Sequence, residues 1–132
     1  MIEPKITFRG WPGHFICGNR CVFRLNTLIE YQDIKIVVST VGLMIKEWPN
    51  ESLEYGYEKI GVNRHYETMA FHAELTSFSF GKFWDANVER EINFESEWCY
   101  QNIEDEQKAQ DGHYKVIDEI CYKLKNGHKF NE

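Results

Sequence analysis

Residues 20–31 read RCVFRLNTLIEY, and the alternation inside this stretch decides the fold. Cys21, Phe23, Leu25, Thr27, Ile29 and Tyr31 fall on one side of an extended chain, and Val22, Arg24, Asn26, Leu28 and Glu30 on the other. Successive side chains of a strand point to opposite faces, so a period of two over this length predicts a long strand. Upstream, Gly18-Asn19 is a two-residue turn signal, which predicts a hairpin pairing His14–Cys17 with Arg20–Tyr31. A short strand over Lys5–Arg9 should end at the breaker run Gly10-Trp11-Pro12-Gly13. Downstream, Gln32-Asp33 turns into Ile34–Val41, where β-branched residues favour another strand.

The signal fades from Gly42 to Gly61, around the turn or loop residues Trp48-Pro49-Asn50. It returns over Arg64–Leu75, with Glu67, Met69, Phe71 and Ala73 alternating against Tyr66, Thr68, Ala70 and His72. Phe78–Trp84 is aromatic around Gly81 and reads as a loop or hairpin. Asn87–Glu95 alternates again, with Val88, Arg90, Ile92 and Phe94 on one face and Asn87, Glu89, Glu91, Asn93 and Glu95 on the other.

The C-terminal third is helical. Asn102 or Asp105 can cap it, Val116, Ile117, Ile120, Cys121 and Leu124 form an apolar stripe, and Lys123 and Lys125 occupy the last turn before Gly127. Gly112 costs about 1 kcal/mol relative to alanine within a helix and marks a possible break or true start. The expected fold is α+β, a twisted and mostly antiparallel sheet with one long C-terminal helix packed on a face. It fills one domain over residues 1–132, β-rich over 1–95 and helical over 102–126.

Charge is distributed unevenly along this frame. Between Asp85 and Asp111 nine carboxylates stand against two bases, a local net of −7, whereas Met1 to Lys46 holds six bases and three acids. Such asymmetry concerns partners rather than fold. At 42% hydrophobic the chain has core enough to exclude disorder, and its twenty Phe, Tyr and Trp residues exceed what one small core requires, which favours a binding surface. The start of the chain has no secretory character and no apolar run reaches the roughly 18 residues of a membrane span, so a cytoplasmic protein is expected, with its cysteines reduced.

Four constellations carry candidate chemistry. Alternate residues on a strand lie about 6.6–6.8 Å apart, so Glu89, Glu91 and Glu95 on one strand face would form a rigid row of charge. With Glu104, Asp105 and Glu106 at the helix start, that row would offer a negative surface to a basic protein partner, such as a nucleic-acid-binding effector. His14, Cys17 and Cys21 could contribute to a zinc site, but a tight turn at Gly18-Asn19 puts the two sulfurs on opposite faces, so no cofactor is expected. His14, His72, Glu67 and Asp85 could support acid–base catalysis on nucleic acid or nucleotides, yet no hydrolase elbow, P-loop, zincin or dinucleotide fingerprint accompanies them. Arg9, Arg20 and Arg24 interleave with Phe8, Trp11, Phe15 and Phe23, but a pI near 5.4 argues against direct binding to nucleic acid.

The run Phe8-Arg9-Gly10-Trp11-Pro12-Gly13-His14-Phe15-Ile16-Cys17, followed by Arg20 to Leu28, resembles small uncharacterised proteins carried by phages and prophages. Ser39-Thr40-Val41-Gly42, Tyr66–His72 and Asp85–Phe94 extend the resemblance over most of the chain. It implies an inhibitor of host defence acting in the host cytoplasm, of the anti-CRISPR kind, and supplies no catalytic residue. The resulting expectation is a non-catalytic acidic binding protein, with a small His/carboxylate enzyme and a zinc-stabilised adaptor as the alternatives.

Overall fold

The alternation at residues 20–31 does build a strand, at the heart of an antiparallel sheet. The computed structural model describes residues 3–14, 20–45, 56–79 and 81–130. Seven strands pair in it: β1 (Lys5–Arg9), β2 (Cys21–Tyr31), β3 (Ile34–Ile45), β4 (Tyr57–Glu58), β5 (Tyr66–Phe78), β6 (Gly81–Ile92) and β7 (Cys99–Tyr100). The spatial order is β1-β2-β3-β5-β6, with β4 beside β3 and β7 beside β5, and every pairing is antiparallel. Helix α1 (Glu106–Lys125) follows a 3-10 turn at Ile103–Asp105. This is the expected α+β architecture. The hairpin expected at Gly18-Asn19 and Cys17 itself lie outside the described residues, and β2 pairs with β1 and β3.

Helix α1 covers one face of the sheet with the stripe read from its sequence. Val116, Ile117, Ile120 and Leu124 are buried against Ile29, Ile36, Val38, Ala70 and Ile92, with Cys121 partly buried beside them. Each such aliphatic side chain stabilises the fold by roughly 1.5–3 kcal/mol on leaving water. Asn102 stands at the N-cap of the 3-10 turn, whereas Asp105, at the N-cap position of α1, turns its carboxylate back to accept from the Asn102 N–H at 3.1 Å and makes no side-chain cap bond to α1. At the far end Gly127 has φ +77°, with its N–H on the Leu124 carbonyl and the His128 N–H on that of Lys123. These two bonds satisfy orphan carbonyls in the left-handed stop that glycine favours.

Helix α1 neither breaks nor begins at Gly112, contrary to the propensity argument. A Cβ on Gly112 would stand 1.8 Å from the Tyr100 hydroxyl, so the missing side chain makes room for β7 to approach the helix.

Strand β6 departs from its expected pattern. It ends at Ile92 rather than running to Glu95, and its register on β5 jumps between Phe71↔Glu91 and Ala73↔Ala86. Asn87 to Arg90 therefore bulge out opposite His72 alone, with the Asn87 carboxamide accepting from the Glu89 N–H at 3.1 Å. The bulge resets the alternation, so Ile92 is buried while Val88, expected on the same face, is 61% exposed.

Polar residues cross the middle of the sheet in consecutive pairs: Asn26-Thr27 on β2, Ser39-Thr40 on β3 and Glu67-Thr68 on β5. All six are buried. The period of two sends the threonines to the α1 side, where His113 meets Thr27 Oγ1 through Nε2 (2.8 Å) and Thr40 Oγ1 through Nδ1 (2.7 Å), and Thr40 bonds Thr68 (2.7 Å). Asn26, Ser39 and Glu67 point the other way. Burial holds His113 near pKa 4, well below its usual 6.5, and so neutral. Among the described residues no helix is long and apolar enough to cross a membrane.

Candidate functional site

The face opposite α1 carries a hydrogen-bonded chain around His14. Its Nδ1 lies 2.7 Å from Ser39 Oγ and its Nε2 3.1 Å from Glu67 Oε2, while Arg64 holds Glu67 Oε1 through Nη2 at 2.9 Å. Burial pushes the Glu67 carboxyl up, but the hydrogen bonds and charges of His14 and Arg64 outweigh it and hold it below the ordinary range. His14 is not in a strand of a hairpin, as expected, but lies across the sheet on a segment whose Gly13 N–H donates to Ser39 Oγ at 3.1 Å. Asn26 fastens the same segment: its Nδ2 donates to the Trp11 carbonyl and its Oδ1 accepts from the Arg9 guanidinium.

The order Ser39–His14–Glu67 has the donors and acceptors of a nucleophile, base and orienting acid, but the geometry makes it a brace. Ser39 is 0% exposed beneath Gly13, so close that a Cβ added at Gly13 would stand 2.6 Å from Ser39 Cβ. No reacting atom can approach that hydroxyl. The other two members of the expected catalytic set lie elsewhere. His72 Nε2 contacts the Phe130 carbonyl at 3.2 Å, and the Asp85 carboxylate accepts from the Ala86 N–H. Replacing His14 by alanine is expected to cost about 1–2 kcal/mol and to deprotect the Gly13 amide, because Ser39 and Glu67 each lose a buried partner. Hydrogen exchange of Gly13 against the β3 amides measures this. Unchanged Gly13 protection would contradict the bracing role.

The zinc expectation also meets specific geometry. His14 uses both ring nitrogens on protein partners, and Cys21 packs with Val41, Met44 and Ile60. Among the described residues no three His, Cys, Asp or Glu side chains gather as metal ligands. The basic-aromatic run is engaged internally as well. Arg9 donates to Asn26 and to the Trp84 carbonyl and stacks on Trp11, and Arg20 donates to the Ile45 carbonyl at 2.8 Å and pairs with Glu58 at 3.5 Å.

The acidic stretch is surface, arranged otherwise than as one row. Glu89 rides on the bulge, Glu91 pairs beside Phe71, and Glu95 lies beyond β6, where its N–H donates to the Glu119 carboxylate at 2.8 Å. Glu119 also takes the Ser96 N–H and hydroxyl and Lys123, and these bonds outweigh burial and lower its pKa to about 2. Asp105 is buried in its cap and presents little to a partner. Glu104 and Glu106 are exposed, and both act on buried Tyr66, whose pKa is pushed up to about 12 by burial first and then by Glu106, Asp105, Tyr57 and Glu104. Tyr66 pairs with Tyr100, which burial, Glu97, Cys99 and Asp111 shift in the same direction. Glu97, Glu104, Glu106 and Asp111 therefore share the field around one tyrosine pair. Glu97 and Asp111 had no distinguishing sequence signal beyond membership of the acidic run.

Trp98 and Ile103, each 43% exposed, lie on the same segment. Arg64 stands 5.1 Å over the Trp98 ring. Between Ile92, where β6 leaves β5, and Trp98, whose carbonyl accepts from the Thr68 N–H at 2.7 Å, residues 93–97 reach across to Glu119 on α1. A cleft of about 350 Å³ opens there, lined by Glu67, Met69, Glu91, Asn93, Phe94 and Trp98 among others. No known family, curated protein or solved structure matches the chain.

Proposed function

We propose that this protein is a non-catalytic binding module that presents its acidic edge, residues 89–111, to a basic surface of a protein partner. The observation that supports this reading is the exposure of Glu97, Glu104, Glu106 and Asp111 beside a segment fixed by Tyr66 and Tyr100, whose hydroxyls donate to the Ile103 and Glu97 carbonyls, with exposed Trp98 and Ile103 among them. Carboxylates supply long-range attraction and orientation, and an exposed aromatic and an aliphatic side chain supply area to bury. Lys108 and Lys115 temper the edge on its helical side without matching its charge. Nucleic-acid-handling proteins carry basic grooves shaped for phosphate, and a surface rich in carboxylates competes for such a groove. The resemblance to small phage proteins points to a host-defence effector as that partner, inhibited by occupation of its groove in the host cytoplasm.

Reversal of two of these charges, Glu104→Lys with Glu106→Lys, is expected to weaken capture of the partner at least about tenfold, since like charges then face each other across the interface. Reversal at Glu3, outside the edge, is expected to change capture little. Quantitative pull-down with each variant decides it, and equal capture by the Glu104→Lys/Glu106→Lys protein would contradict the reading.

A further inference from the structure

We propose that the cleft between β6 and β7 receives a single guanidinium group, the side chain of an arginine on the basic partner. The inference rests on the acidic-edge reading and gives that edge its anchor point. The cleft, at about 350 Å³, lies at the small end of ligand pockets, roughly 300–1,000 Å³, a size suited to one long side chain rather than a cofactor.

Its charge selects the occupant. Glu67 is already matched by Arg64, with Oε1 2.9 Å from Nη2, so its negative charge is compensated within the wall. Glu91 is exposed on the opposite strand and makes no ion pair among the described residues, leaving one uncompensated carboxylate and hence room for one cation. The apolar lining, Met69 and Phe94, suits the methylene stem of a long basic side chain. Trp98 favours guanidinium over ammonium, because a planar, weakly hydrated cation stacks on an indole. The protein uses the same chemistry next door: Arg64 bonds a carboxylate while its guanidinium lies 5.1 Å over Trp98.

The test titrates the isotope-labelled full chain with N-acetyl-arginine methylamide and, separately, with its uncharged citrulline counterpart. The expected result is a saturable shift of the Trp98 indole and Asn93 side-chain resonances with the arginine probe. The response should be at least about tenfold weaker with citrulline and with the Glu91→Gln variant, as loss of one charge-assisted bond implies. Asp33→Asn, on the distant β2–β3 turn, should respond as wild type. Equal responses to the two probes, or none at Trp98 and Asn93, would overturn the assignment.

An oligo-arginine peptide in the same series separates this claim from the one beneath it. Binding that is equal in wild type and Glu91→Gln but lost in Glu104→Lys/Glu106→Lys would remove the cleft and keep the edge. Shifts at Trp98 that are indifferent to Glu104→Lys/Glu106→Lys would do the reverse. No binding at all would remove both.

Discussion

Acidification from neutral pH to 4.5 is expected to cost the fold about 2.5 kcal/mol through His113 alone. The imidazole is fully buried under α1, and its native pKa of about 4 lies below the 6.5 of an unfolded histidine. Between those values the unfolded chain takes up a proton that the native state refuses. The contribution of this site to stability is therefore complete above pH 6.5 and is lost as pH falls towards 4. Desolvation is the cause, not a shortage of acceptors, since Thr27 and Thr40 could each accept from an imidazolium N–H. His113→Gln should lower stability by about 2 kcal/mol at neutral pH, because buried hydroxyls lose a partner, and should flatten the pH dependence above 4.5. Urea unfolding of both proteins across that range reads the difference in slope. Equal slopes would mean that His113 is not held neutral. Below 4.5 Glu119 adds to the loss, its native pKa of about 2 making its contribution one that disappears on further acidification.

Gly112→Ala is expected to destabilise the protein by about 2 kcal/mol although alanine is the better helix former by about 1 kcal/mol. The added Cβ would fall 1.8 Å from the Tyr100 hydroxyl and 2.8 Å from its Cζ, and Tyr100 is packed with Leu43, Tyr66 and Ala109. The ring must move, and β7 with it, displacing Trp98 and the acidic edge. Tyr100→Phe removes the closest atom, so the double variant should recover part of the loss in a double-mutant cycle. Strict additivity of the two substitutions would show that the contact does not set the position of β7.

How much could be read from the sequence follows the range of the interactions. Strand β2, the turn at Gln32-Asp33, the stripe from Val116 to Leu124 and the stop at Gly127 depend on neighbours a few residues away, and each appears in the structure. The facing of β6 does not, because its bulge answers to pairing with β5 across the hairpin, and the row of Glu89, Glu91 and Glu95 dissolves with it. Helix propensity at Gly112 carries no trace of Tyr100, which lies close in sequence but meets it only through the packing of β7 on α1. The partners of His14 stand 25 and 53 residues away, out of reach of any local pattern. A signal was nonetheless present: Asn26-Thr27, Ser39-Thr40 and Glu67-Thr68 interrupt strands otherwise fit for burial, and buried polar groups require partners. Three such pairs on β2, β3 and β5 foreshadow two elements bonded to opposite faces, which are α1 through His113 and the N-terminal segment through His14.

The most direct test of the acidic edge is capture of a partner from host lysate by wild type, by Glu104→Lys/Glu106→Lys and by Glu3→Lys, at low salt and at about 0.5 M salt, where screening falls to a few ångströms. The account predicts a basic, nucleic-acid-handling protein retained by wild type and Glu3→Lys at low salt, released at high salt and absent from the Glu104→Lys/Glu106→Lys lane. The same protein held equally by all three, or held through high salt, would contradict it.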